Sequence, residues 1–173
     1  MESGADTPRW FAARAGNCQE IKAKEKLKKF GIEHFVPTAV TLVERRGRKV
    51  RVEKSLIGNL VFLRATKEEA CSLVNYRGLP LHFIPDRCGG GSMLEVPERQ
   101  MEDFKGVFDY SLAEGSDPTV LFAAGDRVRI TKGDLKGVEG QVLETEDGTY
   151  VAVSLLGLLQ ARAKIPASFL QKL

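Results

Sequence analysis

Two stretches of the chain carry the punctuation of a helix start, and the β-rich runs around them restrict the fold the chain can adopt. At Asn17–Glu20 the Asn17 side chain is placed to accept from the first free amides, and Glu20 is placed to reach back. This is a capping box with Asn where Ser or Thr is usual. Thr66-Lys67-Glu68-Glu69 repeats the arrangement. Behind the first start, Ala23, Leu27 and Phe30 share a helix face at i, i+4, i+7 spacing, and Gly31 stands where a left-handed C-terminal cap belongs. Behind the second, Ala70, Leu73 and Val74 supply the apolar face.

The intervening runs predict strands. They are Trp10–Ala13, His34–Val43, Val50–Glu53, Leu56–Leu63 and Leu81–Ile84. Val96-Pro97-Glu98-Arg99 places proline and acid in the first turn of a third helix that would bury Met101, Phe104 and Phe108. The order β-α-β-β-α-β-α predicts an α+β, ferredoxin-like split βαβ sheet with helices on one face and the other face left available. From Asp109 to Thr119 the pattern lapses into Ser, Ala, Glu, Gly, Asp and Pro, the composition of a linker. Beyond it, Arg127–Ile130, Val138–Glu144, Tyr150–Leu155 and Ala161–Ile165 predict a small β-barrel closed by Phe169-Leu170, with Asp147-Gly148 as a hairpin turn. The expected division is therefore 8–108, a linker over 109–120, and 121–173.

Composition excludes several classes. The chain has 173 residues, 43% of them apolar, enough for two small cores. Its formal charge of +3 is too small to make the whole surface attract nucleic acid, so any basic face is local. Cys18, Cys71 and Cys88 are odd in number and widely spaced, which fits reduced cytosolic thiols better than a disulfide or zinc framework. The polar segment Met1–Pro8 does not read as a signal peptide, and no apolar run approaches the roughly 20 residues of a membrane helix. His34 and His82 have no cysteine or acid at ligand or catalytic spacing. Cys88-Gly89-Gly90-Gly91-Ser92 lacks the Gly-Lys-Ser/Thr that completes a phosphate loop. The expectation is a non-enzymatic, cytoplasmic, monomeric protein that needs neither cofactor nor metal.

Two clusters remain. Arg45, Arg46, Arg48, Lys49 and Arg51 gather around Gly47, either as a phosphate-seeking hairpin tip or as a solvated turn. Gly125-Asp126-Arg127-Val128-Arg129-Ile130, followed by Gly133, Gly137 and Gly140, resembles a KOW motif. Asp126 is placed to cap a turn, and Val128 and Ile130 alternate inward. KOW modules also occur in ribosomal proteins, which leaves a ribosome- or RNA-associated binding protein as the alternative.

With Trp10-Phe11, Phe35-Val36-Pro37-Thr38, Ile57-Gly58-Asn59-Leu60-Val61-Phe62-Leu63 and Val96-Pro97 added in that order, nearly the whole chain resembles the NusG family of bacterial transcription elongation and antitermination factors. The resemblance implies an N-terminal NGN domain and a C-terminal SH3-like KOW barrel. It implies that the Ile57–Leu63 surface docks on the clamp helices of the RNA polymerase largest subunit, with Phe11, Ile57, Leu60 and Phe62 in an exposed apolar patch; the alternative for Ile57, Leu60 and Phe62 is burial in the domain's own core. A folded Leu60→Glu protein should then lose polymerase binding. Ile57, Gly58 and Leu60 stand where an aromatic, a proline and a tyrosine are usual, while Asn59 and Phe62 agree with the RfaH-type branch. The resemblance further implies that the basic tip meets upstream DNA and that Arg77, beside Gly78, touches the non-template strand; for Arg77 a surface salt bridge is the plainer reading. Leu155-Leu156-Gly157 occupies a loop that in the family contacts a ribosomal small-subunit protein or the Rho terminator, with Leu156 in place of phenylalanine. These leucines otherwise fill the barrel. The leucine-rich loop and Ile165–Leu170 resemble the UpxY-type antiterminators of capsular polysaccharide operons.

Overall fold

In the computed structural model, residues 7–87, 89–114, 125–145, 148–155 and 159–173 are described. Contacts divide the chain into two units, Met1–Pro97 and Glu98–Leu173.

The first unit is built on an antiparallel sheet. Strand β1 (Arg9–Ala15) lies between β5 (Leu60–Ala65) and β6 (Leu81–Phe83), β2 (Glu33–Phe35) pairs outside β5, and the short β7 (Glu95–Val96) also pairs with β1. The order β2-β5-β1-β6 is the split βαβ arrangement expected from the sequence. Helices α1 (Glu20–Lys29) and α2 (Lys67–Asn75) supply Ala23, Leu27, Ala70 and Leu73 to a core with Phe11, Val61, Leu63 and Leu81 from the sheet. Each large side chain fully buried there contributes about 1.5–3 kcal/mol.

The two helix starts differ. At α2 the capping box forms: Glu69 N–H donates to Thr66 Oγ1 at 3.1 Å, and Thr66 N–H donates to the Glu69 carboxylate at 3.0 Å. At α1 it does not. Asn17 sits at φ 51° in a 3-10 turn, the N-cap is Gln19 without a side-chain bond, and Glu20 is buried. The turn is held from elsewhere, since Cys18 N–H donates to Asn59 Oδ1 at 3.2 Å and Ala15 N–H to Asn59 O at 2.7 Å. The end of α1 follows expectation: Gly31 is left-handed at φ 68°, and Ile32 N–H reaches Leu27 O at 3.0 Å.

The strand expected over His34–Val43 is broken. After β2, buried Val36 and Pro37 redirect the chain, because proline cannot donate to a sheet ladder. The chain continues as β3 (Thr38–Arg45), which pairs with β4 (Arg48–Ser55) in a separate two-stranded sheet. The strand expected from Leu56 begins only at Leu60, after Asn59 at φ 68°.

In the second unit, α3 (Glu98–Ala113) buries Met101, Phe104, Val107 and Phe108 and contacts β10 and β11. Asp109–Ala113, expected as the start of the linker, are its last turns, and most of the remaining expected linker lies outside the described residues. Strands β8 (Arg127–Ile130), β9 (Glu139–Thr145), β10 (Gly148–Leu155), β11 (Leu159–Lys164) and β12 (Leu170–Lys172) form one antiparallel sheet in the order β11-β10-β9-β8-β12. The described strands do not close into a barrel. The β9–β10 hairpin is present, although Glu146 and Asp147 lie outside the described residues.

Candidate functional site

Strands β3 and β4 make a ribbon whose ladder runs from Thr38–Ser55 to Arg45–Arg48 and, among the described residues, pairs with no third strand. At about 3.3 Å per residue its tip stands roughly 23 Å beyond its base. The tip is a two-residue turn with Arg46 at φ 52° and Gly47 at φ 73°. Positive φ at both central residues is what a type I′ hairpin turn requires, and its twist matches that of the strands.

An isolated two-stranded hairpin is marginal in water, so the base matters. Leu56 N–H donates to Pro37 O at 2.8 Å, and Lys24 of α1 binds both Glu53 and Thr38. That ammonium, with the Thr38 hydroxyl, holds the Glu53 carboxyl below the usual carboxylate range. It also neutralises one of the two acids in Thr38–Ser55, a segment with six basic residues. Arg45, Arg46, Arg48, Lys49 and Arg51 are all exposed, and among the described residues no ion pair holds them. The structure thus brings these five cations onto one ribbon.

Arg77 is elsewhere. It lies just past α2 with its guanidinium 5.3 Å from the centre of the Phe30 ring, a cation–π contact in place of the salt bridge considered from the sequence. It lines a cavity of about 250 Å³ with Ile32, Glu68, Glu69, Ser72 and Leu73. No hydrogen bond or ion pair joins it to the ribbon among the described residues.

The expected apolar patch requires correction. Phe11 pairs with Leu63 and faces the helices, where it is 1% exposed in the core of its own unit. Strand alternation therefore removes it from the helix-free face. Leu60 and Phe62 do lie on that face, in register with Arg14 and Ala12, and Phe35 stands against Phe62 at 6.4 Å between ring centres. They are nevertheless 3% and 0% exposed, so in this conformation neither is open to a partner; Ile57, in the loop before them, is half-buried.

In the second unit, Val128 and Ile130 point inward as expected. The glycines have identifiable reasons: a Cβ on Gly125 would stand 1.8 Å from Val142 O, and one on Gly140 would stand 2.5 Å from Ala152 O. Gly133 and Gly137 are at positive φ. Asp126 does not cap a turn; its carboxylate pairs with Lys172 at 2.8 Å. Leu155 is not a loop residue, being buried in β10 opposite Leu159, and Leu156 lies outside the described residues. His34 Nδ1 is 2.8 Å from Ile32 O, and His82 is exposed.

Sequence reasoning missed two features of the ribbon. Val40 and Leu42 are 65% and 66% exposed on one of its faces, and Lys24 clamps its base. The alternation Val40-Thr41-Leu42 signals a shared face, but nothing local signals that the face is open.

No curated protein matches the chain. A solved structure of Thermotoga maritima NusG aligns over 98% of this chain and 99% of its own, at 19% identity and a TM-score of 0.49. The family model described as transcription termination factor NusG matches residues 8–105, more than half of the sequence, and includes every strand of the first unit and the basic ribbon. The match lies upstream of the KOW-like glycines, so the alternative of a ribosome-associated KOW protein is not favoured. On that match, the chain belongs to the NusG family of transcription elongation and termination factors.

Proposed function

We propose that the chain is an elongation and antitermination factor that binds RNA polymerase at the clamp helices of its largest subunit and upstream DNA through the β3–β4 ribbon, suppressing pausing and termination. The reading is carried by the five exposed, unpaired cations on a ribbon reaching roughly 23 Å from a NusG-type domain. Neutralising phosphates releases counterions, so such a tip gives sequence-independent, salt-sensitive attraction. The factor works in the cytoplasm by binding energy alone, without a catalytic step or cofactor, by favouring the forward-translocated state of the elongation complex.

The polymerase contact is assigned to Leu60 and Phe62, on the face opposite α1 and α2, together with Ile57 in the loop before them. Because Leu60 and Phe62 are buried here, this contact needs a bound state in which they are exposed. The C-terminal strands act as a KOW module of SH3-like type that recruits or regulates, and the chain belongs to the RfaH/UpxY-like branch serving capsular polysaccharide operons. Arg77 contacts non-template DNA in this reading, from its place over the Phe30 ring.

The test is transcription through a terminator in vitro with the full chain, with the chain cut near Asp117, and with Arg45, Arg46 and Arg48 changed to Gln. Read-through that falls to the factor-free level with the Gln variant supports the reading. Read-through equal to wild type removes the ribbon from it. Co-purification with ribosomal subunits and no polymerase would replace the reading with the KOW alternative.

A further inference from the structure

The exposed apolar face of the ribbon is unexplained by phosphate attraction. Val40 and Leu42 stand on the same face as their cross-strand partners Glu53 and Arg51, with the exposed pair Glu44 and Lys49 next toward the tip. Exposing two neighbouring aliphatic side chains forgoes burial energy in the free protein, and a contact made only to phosphate oxygens would not recover it. The flanking cations make a purely apolar protein partner a poor match, since the centres of such interfaces are depleted of charge.

Duplex DNA presents both chemistries at the right spacing. Two strands about 4.8 Å apart, with their side chains, fit a major groove about 12 Å wide, whereas the minor groove, about 6 Å across, is too narrow. Thymine methyls on the major-groove floor are apolar, and phosphates line both walls. The major groove of an RNA duplex is deep and narrow and does not admit the same ribbon.

We infer that the β3–β4 ribbon enters the major groove of double-stranded DNA, with Val40 and Leu42 against base edges and thymine methyls and with Lys49, Arg51 and the tip arginines on the flanking phosphates. This rests on the ribbon being a nucleic-acid contact and adds the form of nucleic acid, the groove and two side chains that read it. Lys24 supports the arrangement by pairing with Glu53, which neutralises that carboxylate at the base of the same face.

The experiment is binding of the full chain to a fluorescent thymine-rich DNA duplex, to its single strand and to the corresponding RNA duplex, at roughly 50 to 200 mM salt. Val40→Ser with Leu42→Ser should weaken duplex binding about tenfold at every salt concentration and leave the salt slope unchanged. Arg45→Gln, Arg46→Gln and Arg48→Gln together should lower that slope by about 2.7. A minor-groove-filling ligand should not compete. Both aliphatic positions are exposed, so thermal unfolding of the double variant should match wild type. Equal affinity for single strands or RNA duplex, or undiminished binding by the Val40/Leu42 variant, overturns groove entry while leaving the phosphate contact in place. A wild-type chain with no salt-dependent DNA binding overturns both.

Discussion

The Lys24 ammonium binds the Glu53 carboxylate, joining α1 to a ribbon that, among the described residues, no sheet ladder connects to the rest of its unit. Thr38 completes the contact by bonding the same carboxylate oxygen. The arrangement matters more for direction than for stability: both side chains are about a third exposed, and such pairs contribute on the order of 0.5 kcal/mol.

Glu53→Gln should therefore destabilise the chain by roughly 0.5 kcal/mol at neutral pH. Because the folded state depresses the Glu53 pKa, its contribution is complete above the ordinary glutamate value and disappears as pH falls through the lowered folded value. Urea titrations at neutral and acidic pH should show the wild-type advantage over Glu53→Gln shrinking on acidification. The swap Lys24→Glu with Glu53→Lys should restore part of it, while either single charge reversal should not.

Gly125→Ala and Gly140→Ala should each cost about 1–3 kcal/mol or more. In both cases the added methyl meets a carbonyl oxygen of a paired strand, Val142 or Ala152, which cannot move without breaking the ladder. Denaturation of the separate variants checks this, and Gly106→Ala is the control, since its nearest neighbour would be a side-chain methyl of Leu135 at 3.7 Å.

Thr66→Ala should cost about 1 kcal/mol by leaving the Glu69 amide without its acceptor and loosening the reciprocal carboxylate bond. Asn17→Gly, which tolerates the left-handed backbone at φ 51°, should remove no such cap, because Asn17 accepts none at α1. Comparing the two unfolding midpoints distinguishes a formed capping box from a sequence that merely resembles one.

Two carboxyls of the second unit should titrate in opposite directions. A side-chain hydrogen bond from Arg129, 2.5 Å from Glu139, holds the Glu139 pKa below its ordinary value, while burial pushes Asp103 up despite Arg99. Acidification through the Glu139 folded value loses its stabilising contribution; acidification from above the raised Asp103 value toward its ordinary value relieves the cost of its buried charge. Carboxyl NMR titration should show both directions, and Arg129→Gln should return Glu139 toward the normal range.

Local chemistry determined what could be read from the sequence alone. Thr66 and Glu69 satisfy each other within one turn, Gly31 ends α1 without help from outside, and the order of strands and helices leaves few ways to build the first sheet. Asn17 and Glu20 have the same spacing as a working cap, but the Asn59 tether and the burial of Glu20 set the backbone there, and those come from distant residues.

Tertiary structure decided the faces. Leu60–Leu63 is apolar throughout and buried on both sides, so it carries no alternation from which to tell inside from outside; only the pairing of Phe11 with Leu63 and Ala12 with Phe62 assigns them. Likewise, Val40 and Leu42 have the composition of a core strand and are surface because nothing among the described residues packs over them. A strand's sequence specifies its period, whereas its exposure depends on which other elements the completed chain brings against it.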